Sequence, residues 1–178
     1  MNLNELLQAA STELEAAGLA YGHGTTNAHD EAVWLTLWQL GLPLDSALDE
    51  LAERACSESE VAAVQALIQQ RIATRQPAAY LTHEAWLQGV PFYVDERVIV
   101  PRSFLAEFIA AAEGAESIVG WLGEHTKQVL DLCTGNGSLA VLAALAWPEV
   151  QVDAADLSTD ALAVARINVD QHGLQDRI

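Results

Sequence analysis

The sequence predicts a mixed α/β chain in three parts: an all-helical bundle over residues 1–77, a β-hairpin linker over 78–101, and over 102–178 the start of a parallel-sheet domain with covering helices. Three observations predict this. Apolar residues recur at helical spacing through the first 75 positions. β-Branched and aromatic runs broken by Gln88-Gly89 follow. The last 50 residues then alternate strand and helix patterns, which indicates parallel strands joined by crossovers.

In the first part, Leu3, Leu6, Leu7, Ala10, Leu14 and Ala17 define a helix face, and Gly18 is placed to end it. The polar turn Tyr21-Gly22-His23-Gly24-Thr25-Thr26 follows. Asn27 is a candidate cap for a second helix with Asp30 in the capping-box position, and its stripe is Val33, Trp34, Leu37 and Trp38. Gly41 and Pro43 stop it. A short third helix is predicted over 45–55. Ser57 and Glu60 form another capping-box pattern, opening a helix whose inner face carries Val61, Val64, Ile68 and Ile72. Pro77 closes the bundle.

In the linker, Tyr80–Leu87, Val90–Val94 and Val98–Val100 read as extended. Pro101 and Ser103 mark entry to a helix over 103–112, and Gly114, Gly120 and Gly123 make the stretch to Thr126 partly loop. Strand 128–133, helix 138–146, strand 150–156 and helix 158–172 complete the pattern.

Composition narrows the function. The net charge is −17, with 25 acids against 8 bases. No basic stripe exists for a phosphate backbone, so direct nucleic-acid binding is not expected. An acidic surface favours solubility and basic partners. Cys56 and Cys133 form no disulfide framework and point to a reducing compartment. The first 25 residues carry acids and no Lys or Arg, unlike a secretory signal. No apolar run has the length of a membrane span. The expected location is the cytoplasm, with no membrane partner.

The chemistry concentrates in Val129-Leu130-Asp131-Leu132-Cys133-Thr134-Gly135-Asn136-Gly137-Ser138. A strand carries an acid near its end, a glycine turn follows, and a helix begins. Glycine suits a turn whose backbone approaches a ligand, and the helix start directs free amides towards it. A second acid, Asp156, ends the next strand. This is half of a nucleoside-cofactor site of Rossmann-like form. Gly135-Asn136-Gly137-Ser138-Leu139-Ala140 also fits the dinucleotide pattern G-x-G-x-x-A, which keeps an NAD-binding oxidoreductase fragment as an alternative. Asp131 separates the two. An acid there repels a pyrophosphate and suits a ligand with a positive amino group and no phosphate. S-adenosylmethionine, with a sulfonium and an α-ammonium, meets that requirement. Asp131 would lie near its methionine end and Asp156 would accept from the ribose hydroxyls. Cys133, Thr134, Gly135, Asn136, Gly137 and Leu157 complete the candidate cofactor contacts.

Other polar residues carry less. His23 and His29 lie near Asp30 and Glu31 without metal-ligand spacing, so no metal site is assigned. Trp34 and Trp38 read as core. Cys133 reads as a small packed residue without a base to activate it. Arg102 is a candidate substrate-side residue, lining the substrate channel or pairing with a site carboxylate, with a surface ion pair as the other reading.

Several segments together resemble the ribosomal-protein glutamine N5-methyltransferases. They are Tyr21-Gly22-His23-Gly24-Thr25, Asp30-Glu31-Ala32, Ala79-Tyr80-Leu81-Thr82, Phe92 to Val98, Val100-Pro101-Arg102-Ser103, Asp131 to Gly135 and Asp160 to Ala165. The Tyr-Gly-His-Gly-Thr turn and the cysteine of the glycine motif favour the branch acting on the third protein of the large ribosomal subunit. The alternative is the sister branch acting on peptide-chain release factors. The resemblance implies an N-terminal substrate-recognition domain (1–77), a hairpin linker, and a seven-stranded S-adenosylmethionine-dependent methyltransferase domain. It also implies a basic ribosomal-protein substrate. An Asn-Pro-Pro-Tyr loop is implied to hold the glutamine amide, so that positioning supplies much of the rate.

None of Asn2, Asn4, Asn27, Asn136 and Asn168 precedes a proline. The chain is accordingly read as an N-terminal fragment with a truncated methyltransferase domain and its catalytic residues beyond Ile178. A half-sheet with uncovered faces then offers a route to a homo-oligomer. The expected outcome is that residues 1–178 alone give no turnover in a methyl-transfer assay with the ribosomal protein. Measurable turnover refutes the fragment reading.

Overall fold

A computed structural model describes residues 1–110 and 126–178. The glycine-containing stretch predicted as partly loop lies almost wholly outside the described residues, as does the end of the helix predicted over 103–112. The described chain forms two compact units, Met1–Thr82 and His83–Ile178.

The first unit contains α1 (Leu3–Ala16), α2 (Ala28–Gln39), α3 (Leu48–Leu51), α4 (Glu58–Thr74) and α5 (Ala78–Thr82). Both long helices α1 and α4 start with reciprocal capping boxes, Asn2 with Glu5 and Ser57 with Glu60. Such a box satisfies two backbone donors that the first turn leaves free. The box at Asn2 was not anticipated. At α2, Asn27 Oδ1 accepts from the Asp30 amide, while its own amide donates to the Asp30 carboxylate. Arg54 and the Ser57 amide hold the Glu60 carboxyl down to about 2, so this cap persists far into acid. Its contribution is present above the usual glutamate pKa and is lost as pH falls through the lowered value.

Leu6, Ala10 and Leu14 of α1 pack with Ala28, Ala32 and Leu35 of α2 and Val64, Leu67 and Ile68 of α4. Of the predicted stripe of α2, Leu37 is fully buried, whereas Val33, Trp34 and Trp38 are only half-buried. Ala28, Ala32 and Leu35 are buried, and Trp34 and Trp38 pack at its margins. Small residues let the helix approach its neighbours closely, and the bulkier indoles fill the edges.

One charged pair is buried in this core. Arg71 Nε donates to Glu31 Oε1 at 2.7 Å, and the side chains are 2 % and 4 % exposed. Thr25 Oγ1 donates to the other Glu31 oxygen at 3.0 Å, and Arg71 also donates to the Ala20 carbonyl at 3.2 Å. These bonds, with the Gly22 amide donating to the Thr25 carbonyl, hold the turn between α1 and α2. Glu31 is thus occupied by an arginine. His23 and His29 are exposed, and among the described residues no group of three or more His, Cys, Asp or Glu side chains is placed to hold a metal ion.

The second unit contains β1 (Ala85–Leu87), β2 (Val90–Phe92), α6 (Phe104–Ala110), β3 (Gln128–Leu132), α7 (Ser138–Ala146), β4 (Gln151–Ala155) and α8 (Thr159–Gln171). β1 and β2 form an antiparallel hairpin; β3 and β4 pair in parallel, Gln128 opposite Gln151 through Leu132 opposite Ala155. The linker departs from expectation in two places. Residues 78–82 are helical, with Thr82 Oγ1 donating back to the Ala78 carbonyl. Residues 98–100 lie outside any strand, because the chain turns at Asp95, whose carboxylate accepts from the Arg97 amide and guanidinium. Phe92, at the hairpin's end, is buried in one core with α6, α7, β4 and α8.

The βαβα pattern forms as predicted, each strand shortened by a residue or two. Val129 and Val152 face the helices. Leu130 and Leu132 lie on the opposite face and stay 64 % and 70 % exposed. No helix among the described residues is long and apolar enough to cross a membrane.

Removing one partner of a buried ion pair leaves the other charge uncompensated. Arg71→Met is therefore expected to cost about 3–5 kcal/mol in urea unfolding. The Glu31→Gln/Arg71→Met double variant is expected to recover part of that loss. Equal losses in the single and double variants would contradict this account.

Candidate functional site

Parallel strands end at the same edge, and α/β proteins bind ligands outside those carboxyl ends. Here the edge is built from residues 131–138 and 156–158. The Thr134 amide donates to the Ala155 carbonyl at 2.9 Å, extending the ladder past Leu132. Thr134 Oγ1 donates to Asp131 Oδ2 at 2.6 Å. Asp131 is thus a half-buried acid bonded into the turn, and its Oδ1 has no hydrogen-bond partner among the described residues.

Asp156 grips the same turn from the neighbouring strand. Its Oδ2 accepts from the Gly135 amide and its Oδ1 from the Ser158 amide, both at 2.9 Å. The Ser158 amide first, then that of Gly135, pull its pKa below the ordinary aspartate range. These bonds are intact above the usual aspartate pKa and are lost as pH falls through the lowered value. Asp156 is not the cap of α8. That role belongs to Ser158, whose Oγ accepts from the Ala161 amide.

The two glycines prove unlike. Both have left-handed backbone, φ +57° at Gly135 and +80° at Gly137. A Cβ on Gly135 would meet nothing within 4 Å, so its free face is open. A Cβ on Gly137 would lie 3.1 Å from Ala165 Cβ. Gly137 is therefore required by close packing of α7 on α8. Cys133 departs from expectation. It is exposed rather than packed, at φ +65°. A left-handed backbone costs a non-glycine residue about 1–2 kcal/mol, and here Thr134 bonded to Ala155 constrains the chain just beyond it.

Asn136 is 4 % exposed. Its Oδ1 accepts from the Ser138 amide at 3.2 Å, and its Nδ2 is a buried donor without a partner among the described residues. Leu157 stands fully exposed at the turn after β4. Arg102 is exposed and, among the described residues, bonds to neither site carboxylate. The structure thus joins Asp131, Thr134, Gly135 and Asp156 by direct bonds and leaves Arg102 outside that network.

Sequence reasoning missed Asn168, a fully buried amide on α8 that donates to the Asn136 carbonyl at 2.8 Å. The available signal was a polar residue falling in phase with Ala161, Val164 and Ala165 on an apolar helix face.

Gly137→Ala is expected to cost about 1–3 kcal/mol, combining backbone strain with overpacking. Gly135→Ala is expected to cost only about 1 kcal/mol, from strain alone. Thermal unfolding of the two variants makes the comparison. A Gly135 variant as damaged as the Gly137 variant would refute the distinction.

Residues 111–178 match the family model of the methyltransferase small domain. The chain is 51 % identical over 176 residues to the ribosomal protein uL3 glutamine methyltransferase of Burkholderia pseudomallei, covering 99 % of this chain and 56 % of that protein. The like-named protein of Bordetella pertussis is 49 % identical, with 99 % and 58 % covered. That of Neisseria gonorrhoeae is 46 % identical with the same coverage. The chain thus spans less than three fifths of the length of these relatives. Over 99 % of its own length this chain is similar to the ribosomal-protein glutamine methyltransferases, the family its motifs resemble.

Proposed function

We propose that this chain supplies the S-adenosylmethionine-binding part of an enzyme that N5-methylates a glutamine side chain of the large-subunit ribosomal protein uL3. The observation that carries the reading is the pair of carboxylates at the ends of adjacent parallel strands, bonded to a glycine turn whose Gly135 face is open. The relatives' printed activity supplies the substrate.

The residues fit this cofactor on two structural grounds. Among the described residues one Asp131 carboxylate oxygen has no hydrogen-bond partner, and Asn136 Nδ2 is a buried donor lacking an acceptor. Asp131 would hold the ammonium end, Asp156 the ribose hydroxyls, and Leu157 the base, with Cys133 and Thr134 shaping the wall. When bound, the cofactor supplies an electrophilic methyl group. The chain's own part is orientation. Asp156 is ionised at neutral pH and already fixed by two amides, so it presents acceptor lone pairs without reorganising. Two carboxylates at this turn oppose a pyrophosphate, which disfavours the nicotinamide alternative.

The acidic chain, at −17, complements a basic ribosomal protein, and electrostatic complementarity of this kind chiefly accelerates encounter. The helical unit Met1–Thr82 is the proposed substrate-recognition element, and the cytoplasm the proposed location.

Isothermal titration with S-adenosylmethionine and with NAD tests the reading. The expected result is heat of binding for the first alone. Asp156→Asn is expected to weaken it by about tenfold or more, the range for hydrogen bonds to a charged group. Binding of NAD, or indifference to the Asp156 change, would overturn the assignment.

A further inference from the structure

The turn is held from the strand side by Asp131, Ala155 and Asp156. Its far side, the Asn136 carbonyl, is held by Asn168. Asn168 is 0 % exposed and every polar atom of its amide is used. Oδ1 accepts from the Tyr93 amide at 2.7 Å; Nδ2 donates to the Tyr93 carbonyl at 3.0 Å and to the Asn136 carbonyl at 2.8 Å. The orientation is fixed by chemistry. A flipped amide would set its oxygen against two carbonyls and its nitrogen against an N–H.

Asn168 thereby does what a neighbouring strand would do for Tyr93, and with its second hydrogen fastens the glycine turn. One helical turn earlier, Ala165 lies beneath Gly137. α8 therefore backs the turn at two points, one steric and one polar. Tyr93 is itself set in a small network. Its hydroxyl donates to Asp95, Arg97 donates to the same carboxylate, and the His83 ring stacks on its own at 5.4 Å.

We infer that Asn168 is a positioning residue for the cofactor turn, and that through it the turn is coupled to the segment 93–97. The inference rests on the proposed reading of that turn as the cofactor cradle. The amide touches no ligand. It fixes the main chain of Asn136, whose unpartnered Nδ2 and whose neighbour Gly135 would meet one. A half-satisfied buried network is more costly than an apolar core, so loosening one bond disturbs both the turn and Tyr93.

The test uses the whole chain and two readouts. Asn168→Asp keeps the shape and replaces the donor with an oxygen facing two carbonyls. Asn168→Ser, without added charge, serves if that variant does not fold. Val169→Ala, the adjoining core position, controls for general loss of stability. In the ligand-free protein, amide hydrogen exchange at Gly137, Ser138 and Tyr93 is expected to accelerate about tenfold or more in the Asn168 variants over the control. The dissociation constant for S-adenosylmethionine is expected to rise by about tenfold, with little change in the control. In the wild type, the cofactor is expected to slow exchange at Tyr93 as well as at Gly135.

Exchange and affinity in the Asn168 variants equal to those of Val169→Ala would overturn the inference. So would a cofactor effect on Gly135 that leaves Tyr93 unchanged. If the wild type does not bind the cofactor, the proposed function fails, and the ligand-free exchange still decides whether Asn168 holds the turn.

Discussion

The hydrogen bond from the Thr134 amide to the Ala155 carbonyl is the constraint on which the site depends. It continues the parallel β3–β4 ladder beyond the last paired residues and sets the height at which the chain turns. Everything nearby follows from that height. Thr134 is placed to reach back to Asp131, Gly135 comes within reach of Asp156, and Cys133 is left at a left-handed backbone. Two carboxylates are bonded to one short turn. Asp156 accepts two backbone amides. Such bonds favour the ionised form because the donors are preorganised and need not be recruited from solvent.

The helices behind the turn have a different task. α7 is almost wholly apolar and buries Ala140, Val141, Ala143 and Ala144. Small side chains allow close approach, and Gly137 brings the start of α7 against α8. The resulting block of β3, α7, β4 and α8 supports the turn by steric contact and by one buried amide. Precision at a binding loop comes from this supporting layer, since loops by themselves sample many conformations.

Much of this was legible in the sequence. The βαβα alternation and the acids at 131 and 156 follow from period and composition alone. So does the Ser57–Glu60 capping box, because its signal is local. What escaped notice depended on tertiary neighbours. The two glycines look identical in sequence, yet one faces open space and the other an alanine 28 positions on. Residues 80–82 read as extended because Tyr80 and Thr82 favour strands, but packing of Ala78 and Ala79 in the first unit prevails over propensity. Trp34 and Trp38 dominate the hydrophobicity of α2, while its fully buried apolar positions are Ala32, Leu35 and Leu37. Asn168 was invisible because nothing in one sequence pairs it with Tyr93, 75 positions away.

The pair formed by Glu31 and Arg71 joins positions 40 apart, on the second and fourth helices. Neither charge can be desolvated until both helices have docked. The Tyr21–Thr25 turn, which Glu31 and Arg71 secure, cannot therefore assemble from its own local preferences. It is completed only when the bundle closes, so its order reports on the integrity of the whole helical unit. An arginine is also required there in a way lysine is not. Its rigid planar fork serves a carboxylate and a main-chain oxygen together, which a single ammonium on a flexible stem cannot reproduce without losing one of them.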